Sequence, residues 1–271
     1  MTTVPLDALD LAFAALLVVL NAALSFRLGL ALERPLLVAA VRTAVQLFLV
    51  GFVIKVLFAL ASPLWTGIMA LVMVLAAGYE VRARQARRFT GAWAYGLGAL
   101  SVAVGAGLVT LLALIAVVQP EPWHQPRYAI PLLGMILGNA MTGVSLALDS
   151  LATAASRERD AIEARLALGA DRSTALRPVA QQALRTGLMP IINAMSAAGV
   201  IALPGMMTGQ ILAGADPVEA VKYQILIMFL IAGGTGIGVF LAVYAGTRRL
   251  SDARHRLRLD RLRPSATRKT G

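Results

Sequence analysis

The sequence predicts an all-α integral membrane protein of about seven transmembrane helices, with the N-terminus outside and the C-terminus in the cytoplasm. Three observations carry that expectation. Of the 271 residues, 58% are hydrophobic and 14% charged, with a mean hydropathy of +0.75; a soluble domain has about a quarter of its residues charged. Apolar stretches near the ~20 residues that a bilayer demands recur along the whole chain. The loops between them alternate between basic and base-poor, as the positive-inside rule requires.

Taken in order, the spans are expected at about 8–26, 36–60, 64–79, 92–118, 129–149, 187–213 and 219–246. Arg27 and Arg34 follow the first span, Arg82, Arg84, Arg87 and Arg88 the third, and a long polar segment the fifth. Residues 248–271 close the chain with nine Lys/Arg against Asp252 and Asp260. The intervening loops, ALASPLW, QPEPWHQPR and AGADPVE, hold one arginine between them. The expected organisation is a single transmembrane domain over 1–247, with a cytoplasmic segment at 150–186 inside it, and a basic cytoplasmic tail over 248–271. The location is the cell (inner) membrane, multi-pass. The net charge of +11 is concentrated in the tail; beside a membrane it points to anionic lipid headgroups and away from nucleic acid.

The segment 150–186 carries too many charges for hydrocarbon, where one central charge costs ~2.5–3.5 kcal/mol on insertion scales. It is nonetheless helix-patterned. Ile162, Leu166 and Gly169 share one face, Gly169 suits a left-handed helix stop, Asp171 suits the next N-cap, and Pro178 suits the first position of a third helix. An exposed helix–break–helix between spans is a shape for docking a partner.

Polar residues inside the spans mark candidate path positions. Arg42 and Gln46 stand i, i+4 in span two; interfacial snorkelling and a place on a substrate path both fit them. Span five holds Asn139, Met141 and Thr142 among glycines whose spacing suits close helix packing, Gly134 and Gly138 included. Span six carries Asn193, then Pro204 and Gly205, which should kink or break it, followed by Met206, Met207 and Gln210. Irregular backbone at membrane depth is tolerated only where protein or water satisfies it, often along a transport path. The methionines fit packing as well as soft ligation.

Two strings carry a family resemblance. EARLALGAD, Glu163 to Asp171, resembles the "EAA…G" loop of bacterial ATP-binding-cassette (ABC) transporter permeases, with Arg165 as a departure. ALPGMMTGQILAGADPVEAVKYQ, Ala202 to Gln224, is more specific. With IPLLGMILGNAM, Ile130 to Met141, and the Arg42…Gln46 pair, it resembles the FetB-type permease family of bacterial iron exporters, related to plant aluminium-tolerance permeases. The resemblance implies a permease homodimer coupled to cytoplasmic ABC ATPase subunits through helices between spans five and six. Glu163, Ala164, Leu168, Gly169 and Ala170 would form the ATPase contact. It implies metal, iron above all, as the exported substrate.

The residues agree on one point: no G-x-x-x-x-G-K-[ST] loop is present, so ATP and Mg²⁺ belong to a partner and this chain is expected to bind no cofactor. Enzyme classes are poorly served. Neither His124 nor His255 lies in a span, and no G-x-S-x-G or H-E-x-x-H pattern occurs. With no cysteine, metal ligands in the spans reduce to Asn139, Asn193, Gln210, methionines and freed carbonyls. The alternative, an ATP-independent carrier or channel, would want more ionisable groups at membrane depth.

Overall fold

The structure is a computed structural model and describes residues 7–252 and 254–263, so residues 264–271 of the expected basic tail lie outside the described residues. Among the described residues it is helical, with only isolated β-bridges. The order is α1 (Ala8–Arg27), α2 (Glu33–Leu60), α3 (Pro63–Arg84), α4 (Trp93–Leu112, continued by a π-helical stretch Ala113–Val118), α5 (Pro126–Arg157), α6 (Arg159–Ala167), α7 (Arg172–Ala197), α8 (Gly205–Leu212) and α9 (Pro217–Arg249). A short 3₁₀ turn follows at Leu259–Arg261. Among the described residues six helices, α1 to α5 and α9, are long and apolar enough to cross a membrane.

The chain divides into two compact units, Met1–Ala61 and Ser62–Gly271. The first is the helical hairpin α1–α2. Its turn is tied by Ser25, whose Oγ accepts the Leu32 N–H at 3.0 Å, with Gly29 in a left-handed conformation at φ 62°. Both helices are mostly apolar and mostly exposed, as suits spans beside hydrocarbon, with Arg42, Gln46 and Lys55 of α2 as polar exceptions.

In the second unit α5 is the axis, packed by α3, α4, α7 and α9. At 32 residues it is about 48 Å long, well over the ~30 Å hydrocarbon layer. That length explains why the expected span 129–149 extends to Arg157. Its last turns are not a free polar arm: Leu151, Ala152, Ala154 and Ala155 are all buried.

Two expectations are corrected here. Pro178 does not open a helix; it lies inside α7, which runs unbroken from Arg172 to Ala197. Ala175, Val179, Ala183, Gly187 and Ile191 recur every four residues along one buried face, and this continuous packing offsets the ~3 kcal/mol that an interior proline costs. The expected span 187–213 is accordingly not a helix of its own. Its first part is the upper end of α7, the chain breaks over 198–204, and α8 resumes with Pro204 as N-cap. The break itself matches the Pro204–Gly205 signal.

Glycines set the helix spacing, though not all those that the spacing suggested. Gly134 meets only the Met73 methyl, and a Cβ on Gly138 would meet nothing within 4 Å. Gly138 is exposed, so the crossing expected there is not made. The close approach falls five residues on. A Cβ on Gly143 would lie 2.8 Å from the Gly187 carbonyl oxygen, and one on Gly187 2.8 Å from the Gly143 carbonyl oxygen. A second contact brings Gly105 of α4 against the backbone of Gly234 and Gly238 of α9. Neither contact leaves room for a side chain. Gly187→Val is therefore expected to destabilise the unit by about 1–3 kcal/mol through overpacking, visible as a lowered midpoint of thermal unfolding in detergent, while Gly138→Leu stays near wild type.

Candidate functional site

The C-terminal ends of α3, α5 and α9 and the N-terminal ends of α4 and α7 meet at one end of the second unit, and it is the end rich in arginine. Asp149 of α5 accepts the Ala86 N–H at 2.7 Å, joining α5 to the loop after α3. The chain beyond α9 folds back as a strap over that loop. Thr90 N–H donates to the Arg261 carbonyl and Arg263 N–H to the Arg88 carbonyl, both at 2.8 Å, so that Phe89 and Leu262 pair antiparallel and are buried together. The Arg261 guanidinium donates to the Arg249 and Ser251 carbonyls at 2.9 and 3.2 Å, holding the strap on the end of α9. At its far side His255 Nδ1 accepts the Arg172 N–H at 3.0 Å, reaching the first turn of α7.

From this end α6 projects. It is anchored by Ile162, fully buried, and by Leu166, which packs against the same core. Its C-terminus closes by both hydrogen bonds of a Schellman turn: Ala170 N–H to the Arg165 carbonyl at 3.0 Å, and Gly169 N–H to the Leu166 carbonyl at 3.1 Å. Gly169 stands at φ 90°, as the sequence led one to expect of a glycine stop. Asp171 then caps α7, its carboxylate accepting the Thr174 N–H at 2.9 Å. Hydrogen bonds from Ser173 and Thr174 hold that carboxyl well below the usual range, at about 2. The stabilisation is present above the ordinary carboxylate pKa and is lost only as pH falls toward 2, so the cap is intact at physiological pH.

What the turn presents is apolar. Leu168 is 88% exposed at the tip, flanked by exposed Ala164 and by Glu163, which takes an ion pair from Arg159 at 2.9 Å. An isolated pair of this kind adds little stability. The arrangement is a rigid knob with a charged shoulder.

The candidate path residues are not gathered into one place. Arg42 and Gln46 lie on α2 in the first unit, both exposed. Asn139 and Asn193 are exposed on α5 and α7; Asn139 Nδ2 donates to the Met135 carbonyl at 2.9 Å, and Met141 is half-buried nearby in sequence. Gly205 opens α8, exposed. The remaining four divide across α8. Met206 and Gln210 line a cavity of about 400 Å³ with Met135, Arg127, Tyr128 and Tyr223. Pro204 and Met207 line another of about 500 Å³.

Two residues that sequence reasoning passed over complete the second cavity: Gln224 and Met228, both on α9. Gln224 is buried, and its Oε1 has no hydrogen-bond partner. A glutamine within an apolar span, one turn before a methionine, was the available signal. The strap had no comparable signal, since only the fold brings Phe89 to Leu262.

The family model described as "Uncharacterised protein family (UPF0014)" matches residues 8–251. UPF0014 membrane protein slr1647 of Synechocystis is 42% identical over 75% of this chain and 78% of its own length. The Probable iron export permease protein FetB of Escherichia coli is 33% identical over 94% of this chain and 96% of its own. UPF0014 membrane protein STAR2 of Oryza sativa is 36% identical over 85% and 79%. No solved structure matches the chain.

The strap's attachment is open to a direct check. Leu262→Asp places a charge in the contact with Phe89, where burial of an unpaired charge is costly. Limited trypsin digestion followed by mass spectrometry is expected to show rapid cleavage at Arg254 and Arg256 in the variant and slow cleavage in the wild type.

Proposed function

The chain belongs to the UPF0014 family of membrane proteins, and from that premise we propose that it is the transmembrane permease subunit of an ABC transporter that exports metal ions, with ATP hydrolysed on a separate subunit. The printed name of the E. coli relative, a probable iron export permease, supports iron as cargo. The observation that carries the reading is the knob formed by Leu168 and the Schellman turn at Gly169: an apolar tip on an otherwise charged end has the character of a docking contact.

In this reading the arginine-rich end faces the cytoplasm, which puts the N-terminus outside and the C-terminus inside. The seventh crossing is a broken one, made by the upper part of α7 with α8. Cytoplasmic ATPase subunits bind the α6 turn through Glu163, Ala164, Leu168, Gly169 and Ala170. Closure of the ATPases on ATP moves α6 as a body, because Ile162 fixes it to the bundle. Only the short turn at Gly169 and Ala170 separates α6 from the Asp171 cap, so the displacement enters α7 at its base. Being a continuous rod of about 39 Å, α7 delivers it to the break at 198–204.

Asn139 on α5 and Asn193 and Ser196 on α7 are exposed polar side chains, with Thr142 half-buried one turn from Asn139, and exposed polar groups of this kind are unsuited to lipid. A second permease copy closing over them would line a path between the two with amides and hydroxyls. These are weak ligands, as release of an exported ion requires. The chain itself holds no ATP or Mg²⁺ in this reading, and performs no bond-breaking step.

Tagged protein purified from its native membranes in mild detergent is expected to bring a soluble P-loop ATPase in stoichiometric amount. Gly169→Pro with Glu163→Lys, and separately Leu168→Asp, are expected to leave the protein inserted but to lose that partner. Wild-type protein that brings no ATPase would favour an ATP-independent carrier.

A further inference from the structure

A groove of about 520 Å³ runs between α7 and α9 at the arginine-rich end, and its lining changes along its length. The two helices are antiparallel, and Val239 packs on Gly187, which sets them level. Ten residues back along α7 from that contact stands Arg177, and nine residues on along α9 stands Arg248. They lie about 15 and 14 Å from it, at one height on opposite walls of the groove. On the bundle side of the arginines the lining is apolar. Leu176, Ala180 and Leu184 recur every four residues as one stripe of α7, and Tyr244 stands across from them on α9. On the far side it is polar, with Arg172, Ser173, Ser251 and His255. The groove thus passes from a surface suited to hydrocarbon to one suited to water, with a tyrosine at the change, where interfacial aromatics belong.

Its cations are uncommitted. Among the described residues no carboxylate pairs with Arg172, Arg177 or Arg248. The Arg248 guanidinium lies over the Tyr244 ring, 4.7 Å from its centroid, which orients it without neutralising it. Asp171 also lines the groove, but its carboxylate accepts the Ser173 hydroxyl and the Thr174 N–H and is spent on the α7 cap. His255 Nδ1 accepts the Arg172 N–H, so Nε2 carries the ring proton and is a further donor.

We infer that this groove binds one anionic phospholipid, with its phosphate between Arg177 and Arg248 and an acyl chain along the Leu176, Ala180 and Leu184 stripe. Guanidinium groups bind phosphate oxygens by paired, charge-assisted hydrogen bonds, and basic pockets between spans are suited to anionic headgroups. Free phosphate would satisfy the arginines but leave the stripe and the Tyr244 ring uncovered. An acidic protein surface could meet Arg172 and His255, yet it could not follow the groove down to Leu184, level with the apolar run of α9. A lipid in this place ties the base of α7, just beyond the Gly169 turn and the Asp171 cap, to the end of α9. The inference rests on the chain spanning a membrane and requires no ATPase.

The test uses the full chain, purified in detergent without an ATPase, and native mass spectrometry. Dioleoyl phosphatidylglycerol and the zwitterionic dioleoyl phosphatidylcholine are titrated separately, and inorganic phosphate is added as a competitor. One phosphatidylglycerol per chain is expected to bind about tenfold more tightly than phosphatidylcholine, and phosphate should not displace it. Arg177→Gln and Arg248→Gln should each weaken it about fivefold. Arg84→Gln, which removes the same charge from an exposed position of α3 outside the groove, should leave it unchanged. Ala180→Trp, which fills the apolar stripe, should weaken it as well. Equal binding of the two lipids, or an equal loss in Arg84→Gln and the groove variants, would reveal only diffuse surface charge and overturn the inference. Displacement by phosphate, with Ala180→Trp without effect, would make this a site for the free anion and overturn it too. So would arginine variants that keep phosphatidylglycerol but lose an ATPase co-purified from native membranes, since the groove would then be a protein-docking surface. Arg177 and Arg248 are exposed, so the glutamine variants decide even if Ala180→Trp fails to fold.

Discussion

Backbone contact between helices at a few glycines governs the second unit. In hydrocarbon, apolar side chains gain little by leaving lipid for one another, so association depends on close packing. Gly143 against Gly187, and Gly105 against Gly234 and Gly238, bring α5 to α7 and α4 to α9 with no side chain between. Alanines fill the adjoining layers: Ala106, Ala140, Ala147, Ala183 and Ala242 are all fully buried. With the helices fixed at that spacing, their ends fall together at the arginine-rich end. Asp149 can then reach Ala86, and the strap can reach the loop after α3. The mount for α6 is thus a consequence of packing deep in the bundle.

The same packing decides where the chain is irregular. The buried four-residue repeat of α7 carries the helix through Pro178 and Pro190. It fails after Ala197, where Val200 and Ile201 are more than four-fifths exposed and no neighbour supports the turn. Along α7 and α8 the irregular backbone is therefore confined to the segment between them. A stiff lower rod and a compliant upper break are what mechanical coupling between a docking end and a path would need.

Features written in local backbone chemistry were legible in the sequence. Gly169 as a helix stop, Asp171 as a cap and Pro204 with Gly205 as a break all depend on neighbours within a few residues. The membrane class and the alternation of loop charge were equally plain, because hydropathy acts on whole segments. Features that depend on remote partners were not legible. Pro178 looked like a beginning because the face that holds α7 together is visible only against α5 and α9. Gly138 looked like a crossing because small-residue spacing marks a possible contact without naming its partner; the partner, Gly187, meets Gly143 instead. Gln224 was passed over until the fold placed it in the lining of one cavity with Met195 and Met207 from other helices.

The central claim is that the Leu168 knob faces the cytoplasm and is covered there by an ATPase. Because the chain has no cysteine, a single introduced thiol reports on it without background. Leu168→Cys and Ala215→Cys would each be treated with a membrane-impermeant maleimide, in spheroplasts and in inside-out vesicles. The account predicts that Cys at Leu168 labels only in inside-out vesicles, and faster once peripheral proteins are stripped, while Cys at Ala215 labels only in spheroplasts. Labelling at Leu168 from the spheroplast exterior would contradict it.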